Sequence, residues 1–267
     1  MSPAPLFDLG GRIALVTGAG QGVGRGIALA LARHGAGGII VNDFHRDRAE
    51  AVAAEIVAEG FAATPMVADV GELDQVRAGV AAAEMTLGPI SILVNNAGNG
   101  GPDGFPTDFP LFWESDPARW HRFLHVNLFG VMNCCHAVLP GMVARRHGRV
   151  VTIVSDAARN LEVRQADYTA AKSAAAGFMR GLAADAARFG VTANSVAIAT
   201  IRPNLPEDEL ARFLASDRSQ AQLLRYPIRR YGLPEDVAGL AVLLCSDAAA
   251  WITGQTYPVN GGYSAAL

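Results

Sequence analysis

A tyrosine and a lysine lie four residues apart in the stretch Tyr168-Thr169-Ala170-Ala171-Lys172. On a helix this spacing puts the two side chains on one face, one turn apart. A neighbouring ammonium favours the phenolate. It should therefore lower the pKa of Tyr168 from its ordinary value of about 10, toward the pH range that suits proton transfer. The pair is a candidate acid/base.

Lys172 is the only lysine in the chain, and every other fixed positive side chain is an arginine. A sequence that favours arginine explains why lysine is rare, but it does not explain why the one lysine stands beside Tyr168. Lysine is a compact ammonium on a flexible stem, whereas arginine is planar and bulky. We therefore assign a function to Lys172, although tyrosine and lysine also meet at this spacing by chance in many helices.

Ser155 ends the apolar run 149–154, thirteen residues before Tyr168. Such a run is typical of a buried parallel strand, and catalytic groups in open α/β sheets lie at the carboxyl ends of these strands. At this spacing Ser155, Tyr168 and Lys172 resemble the catalytic residues of the short-chain dehydrogenases/reductases.

The first part of the chain has the order strand, glycine-rich turn and helix that a dinucleotide site requires. An apolar strand at 12–17 leads into the turn 17–24, and a helical run follows over 25–34. Glycines allow close approach of the backbone, and the N–H groups at the start of the helix can bind a pyrophosphate. The turn resembles the family's T-G-x-x-x-G-x-G motif, which implies cofactor contacts from Gly18, Gln21, Gly22, Val23 and Gly24.

Asp43 follows the second apolar strand, 38–42, nineteen residues after Gly24. This is close to the roughly 20 residues expected for an acid that binds the cofactor ribose. Its carboxylate would accept hydrogen bonds from the ribose hydroxyls and repel a 2′-phosphate, so NAD(H) should be preferred. Arg46 and Arg48 follow closely, so NADP(H) is not excluded. A simpler interpretation, that Asp43 caps the next helix, stays open.

Further cofactor contacts are implied by the resemblance. Asp69 and Val70, which follow a third strand at 62–67, would meet the adenine. A fourth strand at 90–94 runs into Asn95-Asn96-Ala97-Gly98, a specific signature of the family. The resemblance implies that Asn96, Ala97 and Gly98 line the floor of the cofactor site.

Asn127 lies in a long helix predicted over about 117–145. The resemblance implies that it is the fourth catalytic residue, which bends the helix and holds a water that connects the lysine to solvent. After the sixth strand, 191–197, the chain departs from the family, which has a Pro-Gly pair and then a threonine there. This chain has Ile198-Ala199 and later Pro203, and we expect the backbone at Thr200 and Ile201 to contact the cofactor.

Two segments invite functional interpretation without a motif. The loop 99–117 carries Phe105, Phe109, Phe112 and Trp113, which either form an apolar wall over the substrate or pack on a neighbouring subunit or the core. Residues of about 200–230 are consistent with a substrate lid that contains one or two polar helices. Residues 1–10 have the character of a loose tail.

The composition is that of a compact globular protein, with 51% hydrophobic and 18% charged residues among 267. A net charge of −3 without a basic block gives no reason to expect nucleic acid as a partner. No apolar run approaches the length of a membrane span and no signal pattern is present, so a cytoplasmic location is expected. The cysteines and histidines show no metal-ligand spacing, and no metal is expected.

Alternating strands and helices predict a single α/β domain over 1–267. The resemblance implies a Rossmann-type, doubly wound parallel sheet of about seven strands with helices on both faces, in a homotetramer or homodimer. It also implies an NAD(H)-dependent alcohol dehydrogenase or ketoreductase in which Tyr168 is the acid/base, Ser155 stabilises the substrate oxygen, Lys172 binds the nicotinamide ribose and Asn127 supports a proton relay.

Two alternatives stay open. A 3-oxoacyl thioester on acyl carrier protein or coenzyme A would keep the chemistry and change the substrate, and Arg159, Arg164 and Arg202 could meet its anionic carrier. The chain could instead be a nucleotide-binding scaffold that has lost catalysis. The altered segment 198–203 is the only support for the scaffold, and the intact catalytic set argues against it.

Overall fold

The computed structural model describes residues 6–98 and 110–265. Seven strands form one parallel sheet in the order β3-β2-β1-β4-β5-β6-β7. The strands are β1 (Ile13–Val16), β2 (Gly38–Asp43), β3 (Ala63–Val67), β4 (Ile90–Asn95), β5 (Gly148–Ser155), β6 (Val191–Ile198) and β7 (Thr256–Val259). This confirms the predicted doubly wound fold, in which a crevice forms between β1 and β4, where the strand order reverses.

Helices cover both faces of the sheet. They are α1 (Gly22–Arg33), α2 (Arg46–Ala58), α3 (Leu73–Leu87), α4 (Pro117–Leu124), α5 (Gly130–Ala144), α6 (Ala166–Ala186), α7 (Glu207–Ala215), α8 (Asp217–Leu223) and α9 (Pro234–Cys245). Successive residues of a strand point to opposite faces: Leu15 packs in an apolar cluster with α3, α5 and α6, whereas Val16 packs in a second cluster with α1, α2 and α9. The strands are apolar on both sides because helices cover both sides.

The long helix predicted over about 117–145 is interrupted. A π-helical turn, His125–Phe129, separates α4 from α5, and Asn127 lies inside it. Such turns widen a helix locally and occur frequently at functional sites. The interruption agrees with the implied role of Asn127 in bending this helix.

Two expectations about the chain differ from the structure. Leu9, placed in the predicted tail, is fully buried, and its N–H donates to the carbonyl of His34 at 2.9 Å.

The helical stretch Pro117–Ala144 is long and apolar enough to cross a membrane by length and composition, with a mean hydropathy of 1.4. The uninterrupted apolar run in this part of the sequence is shorter than the helix, because the helix also contains polar residues. A buried core helix passes the same test, and Val131 and Cys134 of this stretch are buried.

The predicted lid contains two helices, α7 and α8, and neither has a buried apolar side chain. The predicted aromatic loop lies for the most part outside the described residues. Of its aromatic side chains, Phe112 and Trp113 are described; both are exposed, and the Phe112 ring stacks on Trp120 at 5.1 Å between centroids.

Candidate active site

A cleft of about 490 Å³ opens at the carboxyl ends of β1, β2, β4 and β5. Most of the residues predicted to bind the cofactor line this cleft together. They are Gly18, Gln21, Gly22, Val23, Asp43, Asp69, Val70, Asn96, Ala97, Gly98, Tyr168 and Lys172. The position is the crevice at the reversal of strand order, where open α/β sheets bind their ligands.

The glycine turn brings backbone close to backbone. Gly18 and Gly22 have positive φ angles of 59° and 55°, which side-chain-bearing residues rarely adopt. A Cβ on Gly24 would overlap the carbonyl oxygen of Gly18, whereas a Cβ on Gly22 would meet nothing within 4 Å. Helix α1 begins at Gly22, and no side chain caps its amino terminus. Its first N–H groups therefore fit an anionic pyrophosphate.

Asn96 ties the signature after β4 to this turn. Its Nδ2 donates to the carbonyl oxygens of Thr17 and Gly18, both at 3.0 Å. The Thr17 hydroxyl in turn accepts from the backbone N–H groups of Asn96 and Ala97, also at 3.0 Å. These four hydrogen bonds join the turn after β1 to the segment after β4, so Asn96 shapes the cleft as well as lining it.

Asp43 lies at one end of the cleft and is 7% exposed. One carboxylate oxygen accepts from the N–H of Gly20 and the other from the N–H of His45, both at 3.0 Å. The N-cap of α2 is His45, so Asp43 does not cap that helix as the simpler interpretation would have it. A carboxylate has about four acceptor sites, so this fixed group keeps capacity for ribose hydroxyls. Arg48 lines the same end.

The four predicted catalytic residues meet at the other end. Lys172 follows Tyr168 by one turn of α6, and its Nζ lies 6.0 Å from the centre of the tyrosine ring. The Ser155 hydroxyl, at the end of β5, hydrogen-bonds the Tyr168 hydroxyl. Asn127 is fully buried and donates to the carbonyl of Phe123 at 2.9 Å. A Cβ on Gly98 would lie 2.7 Å from both Lys172 Nζ and Asn127 Oδ1, so any larger residue there would displace these two side-chain ends.

Burial dominates the electrostatics of this end. It raises the pKa of Tyr168, and the hydrogen bond from Ser155 opposes this only in part. Burial also lowers the pKa of Lys172 to about 8. The expectation that the ammonium brings the pKa of Tyr168 below its ordinary value is therefore wrong for this structure. The Lys172 ammonium donates instead to the carbonyl of Ile153 at 3.1 Å, and desolvation of the phenol is the largest influence on the pKa of Tyr168.

Thr200 and Ile201 do not join the others in the cleft. They line a neighbouring cavity of about 190 Å³. The N–H of Thr200 donates to the Tyr226 hydroxyl at 3.3 Å, its hydroxyl accepts from Gln222 at 2.9 Å, and its carbonyl accepts from the N–H of Gly232 at 3.1 Å. The polar groups of Thr200 that we expected to face the cofactor are thus hydrogen-bonded to Gln222, Tyr226 and Gly232 instead.

Sequence reasoning missed an ion pair beside the tyrosine. Arg119 of α4 and Asp167 of α6 are joined at 2.8 Å, with side chains only 8% and 6% exposed. Asp167 also accepts from the N–H of Tyr168 at 2.8 Å. Phe123 meets the Tyr168 ring edge-to-face, with 5.7 Å between centroids. The acid before Tyr168 was visible in the sequence, but nothing there indicated an arginine 48 residues earlier as its partner.

Within residues 6–98 and 110–265, no group of three histidine, cysteine, aspartate or glutamate side chains is placed to hold a metal ion. Cys134, Cys135 and Cys245 are free thiols buried in the apolar clusters.

Comparison with known proteins gives consistent matches. The family model for enoyl-(acyl carrier protein) reductase matches residues 18–264. The chain is 35% identical to the 7alpha-hydroxysteroid dehydrogenase of Escherichia coli (strain K12), over 95% of this chain and 94% of that protein. It is 34% identical to the 3-oxoacyl-(acyl-carrier-protein) reductase FabG of Staphylococcus epidermidis, over 93% of this chain and 97% of that protein.

Solved structures match over almost the whole chain. The gluconate 5-dehydrogenase from Burkholderia cenocepacia J2315, in complex with NADP and tartrate, superposes with a TM-score of 0.87 at 36% identity, covering 98% of each chain. A 7 alpha-hydroxysteroid dehydrogenase complexed with NADH and 7-oxo glycochenodeoxycholic acid gives 0.86 at 33% identity, also covering 98% of each chain.

Proposed function

We propose that this chain, which belongs to the short-chain dehydrogenases/reductases and is an oxidoreductase of that family, interconverts a secondary alcohol and a ketone. In this proposal NAD(H) is the cofactor and Tyr168 is the acid/base. The observation that carries the proposal is the meeting of Ser155, Tyr168, Lys172 and Asn127 at one end of a cleft whose other end holds Asp43. The nicotinamide ring, when bound, supplies or accepts the hydride.

Each of the four residues has its own role in this proposal. During reduction Tyr168 gives its hydroxyl proton to the carbonyl oxygen, and during oxidation it takes that proton back. Ser155, already hydrogen-bonded to the tyrosine hydroxyl, is placed to donate to the same oxygen and to stabilise the charge that develops there. Lys172 binds the nicotinamide ribose and is mostly protonated at neutral pH because its pKa is about 8. Asn127 supports the relay of the proton to solvent.

We propose that NAD(H) is preferred because Asp43 is a buried acceptor, held by two backbone N–H groups. A 2′-phosphate beside it would add negative charge to a site that already carries one. Arg48 lines the same end and could offset that charge, and the relatives include structures with NADP and with NADH. Titration of both cofactors, followed by fluorescence of the reduced forms, tests this. Tighter binding of NADPH would refute it.

A second candidate keeps the chemistry and places the ketone on a carrier thioester. The matches to the enoyl-(acyl carrier protein) reductase model and to FabG favour it, and Arg164 and Arg202 are exposed, as contact with an anionic carrier would require. A spectrophotometric screen should compare free ketones, secondary alcohols and 3-oxoacyl-coenzyme A esters with each cofactor. If kcat/KM is higher for a coenzyme A ester than for its carrier-free analogue, the thioester is favoured; if the two are equal, the carrier has no role.

The homotetramer or homodimer and the cytoplasmic location stay predictions. Sedimentation of the purified chain tests the first, and fractionation of its native cells tests the second.

A further inference from the structure

The last described residues form a short segment after β7, residues 260–264, which we call the C-terminal strap. Both ends of the strap bind the loop that follows Ser155. Asn260 donates to the Asp156 carboxylate at 2.9 Å, and the Ser264 hydroxyl donates to the same carboxylate at 2.8 Å. Asp156 is 2% exposed and directly follows Ser155. A buried carboxylate with two such donors is held firmly, and hydrogen bonds to a charged group are the stronger kind.

The same loop meets the strap a second time through Glu162. The Tyr263 hydroxyl donates a hydrogen bond to the Glu162 carboxylate. The guanidinium of Arg225 lies 3.7 Å from that carboxylate and 4.5 Å from the centre of the Tyr263 ring. Arg225 follows helix α8 of the predicted lid. Glu162, from the segment between Ser155 and Tyr168, is therefore joined to both the strap and the lid.

The strap reaches the lid directly as well. The rings of Tyr226 and Tyr263 stack at 5.1 Å with 30° between their planes, and the N–H of Ile228 donates to the carbonyl of Gly261 at 3.2 Å. Tyr226 continues the chain of contacts, since its hydroxyl accepts from the N–H of Thr200 at 3.3 Å. Tyr263 thus touches the loop before the catalytic tyrosine with its hydroxyl and the lid with its ring.

We propose that the C-terminal strap couples the lid to the loop between Ser155 and Tyr168, with Tyr263 as the positioning residue that joins them. The coupling follows from shared partners: Asp156 and Glu162 on the loop, and Arg225 and Tyr226 on the lid, all bind one five-residue segment. Loss of the strap's contacts with the loop should therefore loosen the lid as well, and loss of its contacts with the lid should loosen the loop. The effect on turnover rests on the proposed function, whereas the effect on lid opening does not.

Hydrogen exchange of the full-length protein, resolved by peptide, tests the coupling without any substrate. Tyr263→Phe removes one hydroxyl and keeps the stacked ring, and Ser264→Ala removes one of the two donors to Asp156. Each variant should speed exchange of the slower amides in both residues 156–162 and residues 207–226 by about tenfold, the scale of losing one charge-assisted hydrogen bond. Tyr257→Phe is the matched control, because Tyr257 lies on β7 and packs against the core.

The decisive observation is the response at a distance. The contacts of Ser264 join it to the loop, through Asp156 and Asn260. Faster exchange over 207–226 in Ser264→Ala, with the Tyr257→Phe control unchanged, supports the coupling. If Ser264→Ala and Tyr263→Phe both loosen 156–162 and leave 207–226 unchanged, the strap anchors the loop without transmitting to the lid, and the proposal is wrong. Glu162→Gln provides a second variant, which keeps the volume and removes the charge, and it should reproduce the Tyr263→Phe pattern.

A kinetic measurement extends the test where the dehydrogenase assay succeeds. For the best ketone of the screen, Tyr263→Phe should raise KM about tenfold while the Kd for NADH changes less than about twofold. The strap does not line the cofactor cleft, so equal losses in NADH binding and in KM would contradict the proposal. Absence of any dehydrogenase activity would refute the proposed function and leave the exchange result to decide the coupling.

Discussion

Lys172 can be followed on its own, because it is the only lysine of the chain. Its side chain is 5% exposed, and burial lowers its pKa from 10.5 to about 8. The difference between the two pKa values corresponds to about 3 kcal/mol. This is the free energy by which burial disfavours the ammonium, net of its bond to the Ile153 carbonyl.

The pH dependence of stability follows from these two values. The unfolded chain keeps its lysine protonated up to about pH 10.5, whereas the folded protein releases that proton near pH 8. Between these pH values the unfolded chain binds more protons, so the free energy of unfolding rises with pH. Relative to Lys172→Met, which cannot titrate, the wild type should gain about 3 kcal/mol of stability between pH 7 and pH 10.5.

Two measurements test this. Protein grown with 13C-labelled lysine has a single lysine side-chain signal, whose titration by NMR gives the pKa directly. Urea unfolding of the wild type and of Lys172→Met at both pH values gives the difference in stability. Binding of NADH should weaken above about pH 8, because the ammonium that would bind the ribose is lost there. A lysine signal that titrates near 10.5, with parallel stability profiles for the two proteins, would show that the ammonium is solvated and refute the reasoning.

The other predictions concern the two ends of the cleft. Tyr168→Phe should lower kcat by at least about 100-fold, which is the scale of losing a general acid. The Kd for NADH should change by less than about twofold. Turnover near that of the wild type would mean that another group is the acid. Asp43→Ala should narrow the preference for NADH over NADPH in fluorescence titrations, and Arg48→Ala should widen it; no change in either variant would remove both residues from cofactor selection. Asp167→Asn should lower the free energy of unfolding in urea by about 3 kcal/mol, because it removes a buried carboxylate that is ion-paired to Arg119 at 2.8 Å. It should also shift the pH profile of kcat by moving Tyr168; a change in stability alone would make the ion pair purely structural.

The alternation of apolar strands with helices was enough to predict an α/β domain, and the resemblance supplied the doubly wound sheet of about seven strands. A parallel strand covered on both faces is mostly apolar, and 38–42 and 149–154 have that character. The glycine turn and the tyrosine–lysine pair were equally visible, because their geometry depends on short spacings within one turn or one helix. Resemblance added Asn127 and Ser155, which no local pattern distinguishes from an ordinary helix asparagine or strand-end serine.

Tertiary structure decided the features that depend on distant partners. Arg119 meets Asp167 across 48 residues, and Asn260 meets Asp156 across 104, so no local spacing predicts either contact. Thr200 lines the neighbouring cavity because its polar groups bond to Tyr226, Gln222 and Gly232. The direction of the tyrosine pKa was also beyond the sequence. Four residues of helix bring the ammonium near the phenol, but the loss of water around both groups depends on everything packed over them. In this fold that loss raises the pKa of Tyr168 and lowers the pKa of Lys172.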